Sequence, residues 1–359
     1  MADPMSVTTD STKLANKYGN FRVPSVKIKS SGSELVSSLG LSVTEMLAEL
    51  SLESAGMAVI KIAAAYDVKS HSFSSKIVNA FKLGTIMQIE TGYLSSTEAI
   101  FKGYVAGLGI EYDAFPLLVV QLMDVRRLMM SGGIRRQIYE DKNYSDIFKK
   151  VMGSYSKLCS VVCDATSDNL VTPVSQNTND YNFVTNELIG TGKSDREFFV
   201  LLDKAYFRTP AKNKTPIMKI EPGKELIRFS MMSSYLDTEI NVVGYDPLKC
   251  KSISAKVKAK SSESYSAVLT PTPSQFYFDA DADTEAKAKG RANALARIEE
   301  QNACFAEGEL IGIPEIVPGR YLEIKSLDTM ADKKYYLTEV RHVITDEKYS
   351  TFFEARGWI

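Results

Sequence analysis

Apolar and polar positions alternate along the first third of the chain and again along the last. Phe21 to Ile28 alternates crudely and is broken by Pro24, as in an edge strand. Ser30 to Gly40 is a Ser/Gly-rich connection. Ser42–Leu52 and Ala58–Ala65 predict strands flanking a turn at Glu53-Ser54-Ala55-Gly56, where Gly56 can supply a positive φ. The first of these runs also fits a short helix through Met46, Leu47 and Leu50. Thr85–Glu90, Ile100–Ile110 and Leu117–Val125 predict three more strands. Short strands, close turns and no long helix here point to an antiparallel sheet or barrel.

Residues 126–215 have a different period. Ser145 can cap a helix with Ile147, Val151, Tyr155 and Leu158 on one face. Residues 160–178 read as a polar linker containing Pro173. Asn179 or Asp180 starts a second helix through Tyr181, Val184 and Leu188, with Gly190 as its stop. Glu197–Phe207 resumes strand character. In the last third, Leu226–Ser230 and Glu239–Val243 read as strands and 258–282 as irregular. Asp283 begins a helix over Thr284–Asn302, and Arg320–Ile324, Tyr335–Ile344 and Tyr349–Arg356 are closing strands.

Two windows share one pattern. Gly84 to Ile89, Ile100 to Ile110 and Leu117 to Val125 run glycine, strand ending in Ile, hairpin, longer alternating strand, acidic turn (Glu111 and Asp113), strand. Gly319 to Ile324, Tyr335 to Ile344 and Tyr349 to Arg356 repeat it, with Asp346 and Glu347 in the turn. The strand pairs preceding them, Ser42–Ala65 and Leu226–Lys256, match loosely. The pattern predicts two similar small antiparallel β-barrels joined by an α/β insert, an α+β chain that is mainly β. Closing a sheet removes exposed edges. Two such barrels per chain in a cyclic trimer would make six similar units.

Charge and chemistry narrow the function. The 359 residues carry 43 Lys+Arg against 44 Asp+Glu, a net charge of −1, which argues against nucleic-acid binding by bulk electrostatics. No apolar run approaches the roughly 20 residues of a membrane helix, and the first residues lack a signal-peptide pattern. Cys159, Cys163, Cys250 and Cys304 show no zinc-ligand spacing and read as reduced packing residues. Gly192-Lys193-Ser194 ends like a phosphate-binding loop, but Glu187 holds its first glycine position and a helix precedes it. Asp279, Asp281 and Asp283 start like a calcium loop, but Thr284 and Gly290 stand where glycine and glutamate are required. Neither His71 nor His342 lies in a nucleophile motif. Lys256-Val-Lys-Ala-Lys260 reads as a solvated strand face or edge guard. No catalytic residue, metal ligand or cofactor site is expected.

Four segments, in order, resemble the phage late control protein D and VgrG family of baseplate hubs. They are Asp146-Ile147 through Tyr155, Asn179-Asp-Tyr-Asn-Phe-Val-Thr-Asn-Glu-Leu188, Val242-Val-Gly-Tyr-Asp-Pro247, and Val317-Pro-Gly-Arg-Tyr-Leu-Glu-Ile324 with the strand Tyr335–Ile344. Tyr181 and Phe183 read as core aromatics, and Gly244 as the residue allowing a turn after Glu239–Val243. The resemblance spans about residues 20–359. It implies a homotrimeric structural hub of a contractile tail or injection particle, with a channel and a pseudo-hexameric barrel ring under a hexameric tail tube. It implies a central spike below, expected as a separate polypeptide because the sequence stops after the last barrel strand. Baseplate wedge and tape-measure proteins would be further partners. Assembly would be cytoplasmic, without membrane insertion.

The organisation expected is a flexible N-terminus over 1–20, a first β-barrel over 21–130, an α/β insert over 131–220, and a second β-barrel over 221–359. The second barrel carries an irregular and helical insertion at about 258–310. Two other functions compete with the tail-hub-like one. A cell-wall-degrading baseplate hydrolase would need a catalytic insertion longer than the linkers offer. A carbohydrate- or receptor-binding β module would want aromatic loop tips, whereas the one tryptophan is Trp358 at the terminus.

Overall fold

The computed structural model describes residues 3–63, 65–112, 114–261, 269 and 271–357, and leaves the Thr191 side chain undescribed. Expectations resting on Asp113, Trp358 and most of 262–270 lie outside the described residues.

The N-terminal segment differs from the loose chain expected. Ser11–Lys17 is a helix, α1, capped by the Asp10 carboxylate accepting from the Lys13 amide. Leu14 and Tyr18 are buried, and Arg320 donates to the Pro4 and Val7 carbonyls at 2.7 and 2.8 Å. Two turns of helix with two anchoring side chains carry too little periodicity to be read from sequence.

The first β module contains β1 (Pro24–Ser30), β2 (Ser42–Ser51), β3 (Met57–Ala63), β4 (Ile86–Tyr93), β5 (Ser96–Tyr112) and β6 (Pro116–Met123). They lie in the order β2-β3-β6-β5-β4-β1, all neighbours antiparallel. Alternation is what buries one face: Ala58, Ile60 and Ile62 point inward while Lys61 stays outside. Each such isoleucine contributes about 1.5–3 kcal/mol. Met46, Leu47 and Leu50, which also fitted a helix, sit in β2. Gly56 takes no positive φ. It is needed for space, since a Cβ there would sit 3.0 Å from Asp124 Oδ2 and 3.3 Å from the Glu49 carbonyl. The strand expected to reach Val125 ends at Met123, because Asp124 caps the helix α2 (Val125–Ser131) by accepting from the Arg126 amide.

The insert has its own core. The helix α3 (Tyr144–Gly153) begins at Asn143, not at Ser145, which is buried in its first turn and exchanges hydrogen bonds with Thr166. The expected linker 160–178 contributes β7 (Ser160–Cys163), parallel to the second strand of the hairpin β8 (Glu197–Leu201) and β9 (Lys204–Arg208). Its four residues are too short to show a period. Asn179 caps the helical segment Asp180–Asn182, which widens into π turns over Phe183–Ile189 and ends at Gly190. Phe183, Val184 and Leu188 pack with Phe148 and Phe207.

The second module begins with β10 (Pro216–Ile220) and β11 (Leu226–Ser233), followed by an excursion. In the excursion β12 (Asp237–Asp246) lies between β13 (Lys251–Lys260) and β14 (Ser274–Phe278), and α4 (Glu285–Asn302) covers the sheet with Ala288, Ala292 and Leu295 against Ile240 and Val242. Two expectations change here. Residues 258–282 are partly strand, and Gly244 stays inside β12, where a Cβ would meet the Ala282 carbonyl at 2.0 Å. Lys256, Lys258 and Lys260 are exposed along the edge strand β13. The chain returns through β15 (Cys304–Ile311), β16 (Tyr321–Ile324), β17 (Lys334–Thr345) and β18 (Tyr349–Gly357), in the sheet order β11-β15-β18-β17-β16-β10. Only the β10–β16 pair is parallel. The partner of β11 is therefore β15, not the 239–256 region expected from the loose match.

Candidate assembly interface

The two strand orders match, β2, β3, β6, β5, β4, β1 against β11, β15, β18, β17, β16, β10, and differ in direction at the last strand, since β1 is antiparallel to β4 and β10 parallel to β16. Fine structure confirms the duplication. The bulge between Val43 and Glu45 recurs between Leu226 and Arg228, and that between Val105 and Gly107 recurs between Leu337 and Glu339. Bulges re-aim side chains and are position-specific features. Gly84 and Gly319 both take positive φ, +83° and +79°.

The modules are not separate bodies. β17 of the second pairs antiparallel with β2 of the first from Glu339↔Ser51 to Thr345↔Glu45. His342 lies at this seam. It is buried, its Nε2 within 3.1 Å of the Ile316 carbonyl and its Nδ1 within 2.9 Å of the Tyr349 hydroxyl, which reaches Thr91 Oγ1 of the first module. Burial pushes the imidazole down to about 4. On the opposite, polar face of this sheet lie Glu49, Glu339 and Glu354 with Arg228 and Arg341. Burial, then Glu49 and Glu354, push the Glu339 carboxyl up to about 7.

Buried arginines fasten the insert to both modules. Arg126 donates to Asp124 Oδ2 from Nε and Nη2 at 3.0 and 2.7 Å and to the Ser51 carbonyl at 2.8 Å, while Asp124 also accepts the Gly56 amide. Arg208 donates to Glu197 at 2.7 Å and to the Gly319 carbonyl at 2.6 Å, and the Tyr336 hydroxyl donates to Glu197. Sequence reasoning missed these cations, since nothing local distinguishes a buried arginine from a surface one.

The rejected chemical candidates fall into structural roles. Lys193 neighbours Glu187 and Asp281 at 3.5 and 3.7 Å. Asp279 pairs with Arg291, Asp283 with Lys287, and Thr284 caps α4. His71 is exposed on a turn at positive φ. Tyr181 is half-buried against the insert core, which contains Phe183. The four cysteines are free. Among the described residues, no group of three or more His, Cys, Asp or Glu side chains is placed to hold a metal ion, and no helix is long and apolar enough to cross a membrane.

Two strand edges stand out instead. Beyond Val105, β5 has no partner on the side where β4 ends, and past Leu226 β11 pairs on one side only, with β15, among the described residues. Both carry exposed apolar side chains: Ile110, Tyr112, Ile227 and Met232. The alternation of these strands was legible; that no described residue pairs along these edges was not.

A duplicated six-strand module fused edge to edge, with an α/β insert between the copies, is the tail-hub-like fold. The chain matches the family described as "Alg8 N-terminal domain" over residues 20–346, and belongs to that family. No curated protein matches it in sequence. In structure it is similar to the 43 kDa tail protein of prophage MuSo2 from Shewanella oneidensis, with a TM-score of 0.68 at 12% identity over 92% of this chain and 98% of that one. A tail protein from Neisseria meningitidis MC58 gives 0.68 at 8% identity over 93% and 97%. A type VI secretion system component of E. coli gives 0.53 at 11% identity over 93% and 77%. At these identities the likeness is one of fold, and it bears out the hub-like architecture expected from the sequence.

Proposed function

We propose that the chain is the central structural hub of a contractile tail or injection particle. It acts as a homotrimer that presents six similar β modules to a hexameric tail tube and seats a trimeric spike below. The observation that carries this reading is the duplication itself. A chain holding two copies of one module in a shared sheet can, as three copies, meet sixfold symmetry. The tail proteins that share its fold support the same placement. The charged sheet face with Glu49, Glu339 and Glu354 would line the channel, and the excursion and insert would meet spike, wedge or tape-measure proteins. The role is structural, with no chemical step, in a particle assembled in the cytoplasm. Light scattering on a size-exclusion peak tests it: a mass three times the 39.7 kDa of one chain is expected, whereas a monomer that stays monomeric with spike and tube proteins present contradicts it.

A further inference from the structure

We propose that, within the trimer, β5 of one chain pairs antiparallel with β11 of the next, in the register that β17 and β2 use inside the chain. This rests on the trimeric reading and names the residues that would make its seam. Inside the chain, β17 lies against β2 along the part of its edge that β16 leaves open. The counterpart of β17 is β5, whose edge β4 leaves open beyond Val105. The counterpart of β2 is β11, whose outer edge past Leu226 is also unpaired among the described residues. Each chain thus contains one finished seam and the two unfinished halves of another. Unpaired edges present rows of free N–H and C=O groups that a matching strand satisfies.

The shared bulges set the register. They align Val105 with Leu337 and Glu45 with Arg228. The observed pairs Val340↔Leu50, His342↔Ala48 and Ile344↔Met46 then become Leu108↔Ser233, Ile110↔Met231 and Tyr112↔Phe229 between chains. A one-residue slip would turn every side chain to the wrong face.

Exposure points the same way. Ile110 and Tyr112 are 67% and 75% exposed, while their counterparts His342 and Ile344 are 0% and 7% exposed. The same positions in the same module differ because only one copy has its neighbour. Met231 and Phe229 already pack against the edge of the main core, so a neighbour's Ile110 and Tyr112 would extend that core. On the polar face, Glu111 would come diagonal to Arg228 of the next chain, within reach of a charge pair.

The test is disulfide trapping in the full chain, with the exposed Cys250 changed to Ser. Glu111→Cys with Ser230→Cys places the two thiols at directly paired positions, close enough to bridge. Glu111→Cys with Ser234→Cys is displaced by four residues, about 14 Å along the strand. Oxidation is expected to give dithiothreitol-sensitive dimers and trimers on a non-reducing gel for the matched pair and monomers for the displaced pair. Linking by both pairs equally, or by neither in a preparation that light scattering shows to be trimeric, overturns the register and leaves the hub reading standing. No linking in a preparation that is monomeric throughout counts against both. A second variant, Ile110→Lys, is expected to lower the trimer fraction at least tenfold with unchanged circular dichroism. An unchanged trimer fraction would also overturn the proposal.

Discussion

The Gly319 amide donates to the Leu337 carbonyl at 2.9 Å, and the Leu337 amide returns a bond to the Arg320 carbonyl at 2.9 Å. Gly84, Val105 and Thr85 make the same two bonds at 2.8 and 2.9 Å. The duplicated entry into the central strand is therefore conformational as well as topological, and both copies need a residue at home in left-handed backbone.

The copies differ in their surroundings, which separates strain from packing. A Cβ on Gly84 would meet nothing within 4 Å, whereas one on Gly319 would lie 2.8 Å from Arg208 Nη2 and 3.1 Å from the Phe199 ring. Gly84→Ala is expected to lose about 1–2 kcal/mol, the backbone term alone. Gly319→Ala loses more, because Arg208 must also leave its carbonyl partner. Urea denaturation of the two variants checks the difference.

Arg126 is fully buried and makes three side-chain hydrogen bonds to two groups, the Asp124 carboxylate and the Ser51 carbonyl. Arg126→Ala leaves Asp124 without its cation in an apolar joint and is expected to cost about 3–5 kcal/mol. Arg127→Ala, at an exposed neighbouring position, is expected to change stability by less than about 0.5 kcal/mol. Thermal denaturation reads both.

Acid sensitivity should originate at the seam. The His342 imidazole is held neutral, down to about 4 from an ordinary 6.5. The unfolded chain therefore takes up a proton first as pH falls. Stability is complete above pH 6.5 and declines toward pH 4, by on the order of 3 kcal/mol. His342→Gln is expected to flatten that limb, even if it lowers stability at pH 8. An unchanged slope in pH-dependent denaturation would show that the histidine is not the sensor.

Glu339 works in the opposite direction. Its carboxyl is pushed from 4.5 up to about 7, so the folded state holds the proton longer than the unfolded one. Its contribution is favourable at low pH and is lost as pH rises through about 7. Glu339→Gln is expected to raise the melting temperature at pH 8 and to leave it nearly unchanged at pH 4.5.

Much of this architecture was legible in the sequence because strands with one wet face alternate. The windows at Gly84 and Gly319 stand out as a repeat for that reason, the helical segment at Asn179 announces itself by its cap, and the helix expected to begin at Asp283 is capped one residue later by Thr284. What escaped was non-local. The pairing of Leu226–Ser233 with Cys304–Ile311 is separated by a whole subdomain, so proximity in sequence suggested the wrong partner. Gly56 and Gly244 look in sequence like turn formers, yet each is fixed by a neighbour's atoms at close range. The open edge of β5 was hidden because Ile110 and Tyr112, which are exposed, look in sequence like any inward-facing residues.

End-on electron-microscope averages of the purified oligomer decide whether three chains form a pseudo-sixfold ring. Six lobes of similar size and spacing around the channel are predicted, two from each chain. A ring of three lobes, with the second module of each chain lying elsewhere, would contradict it.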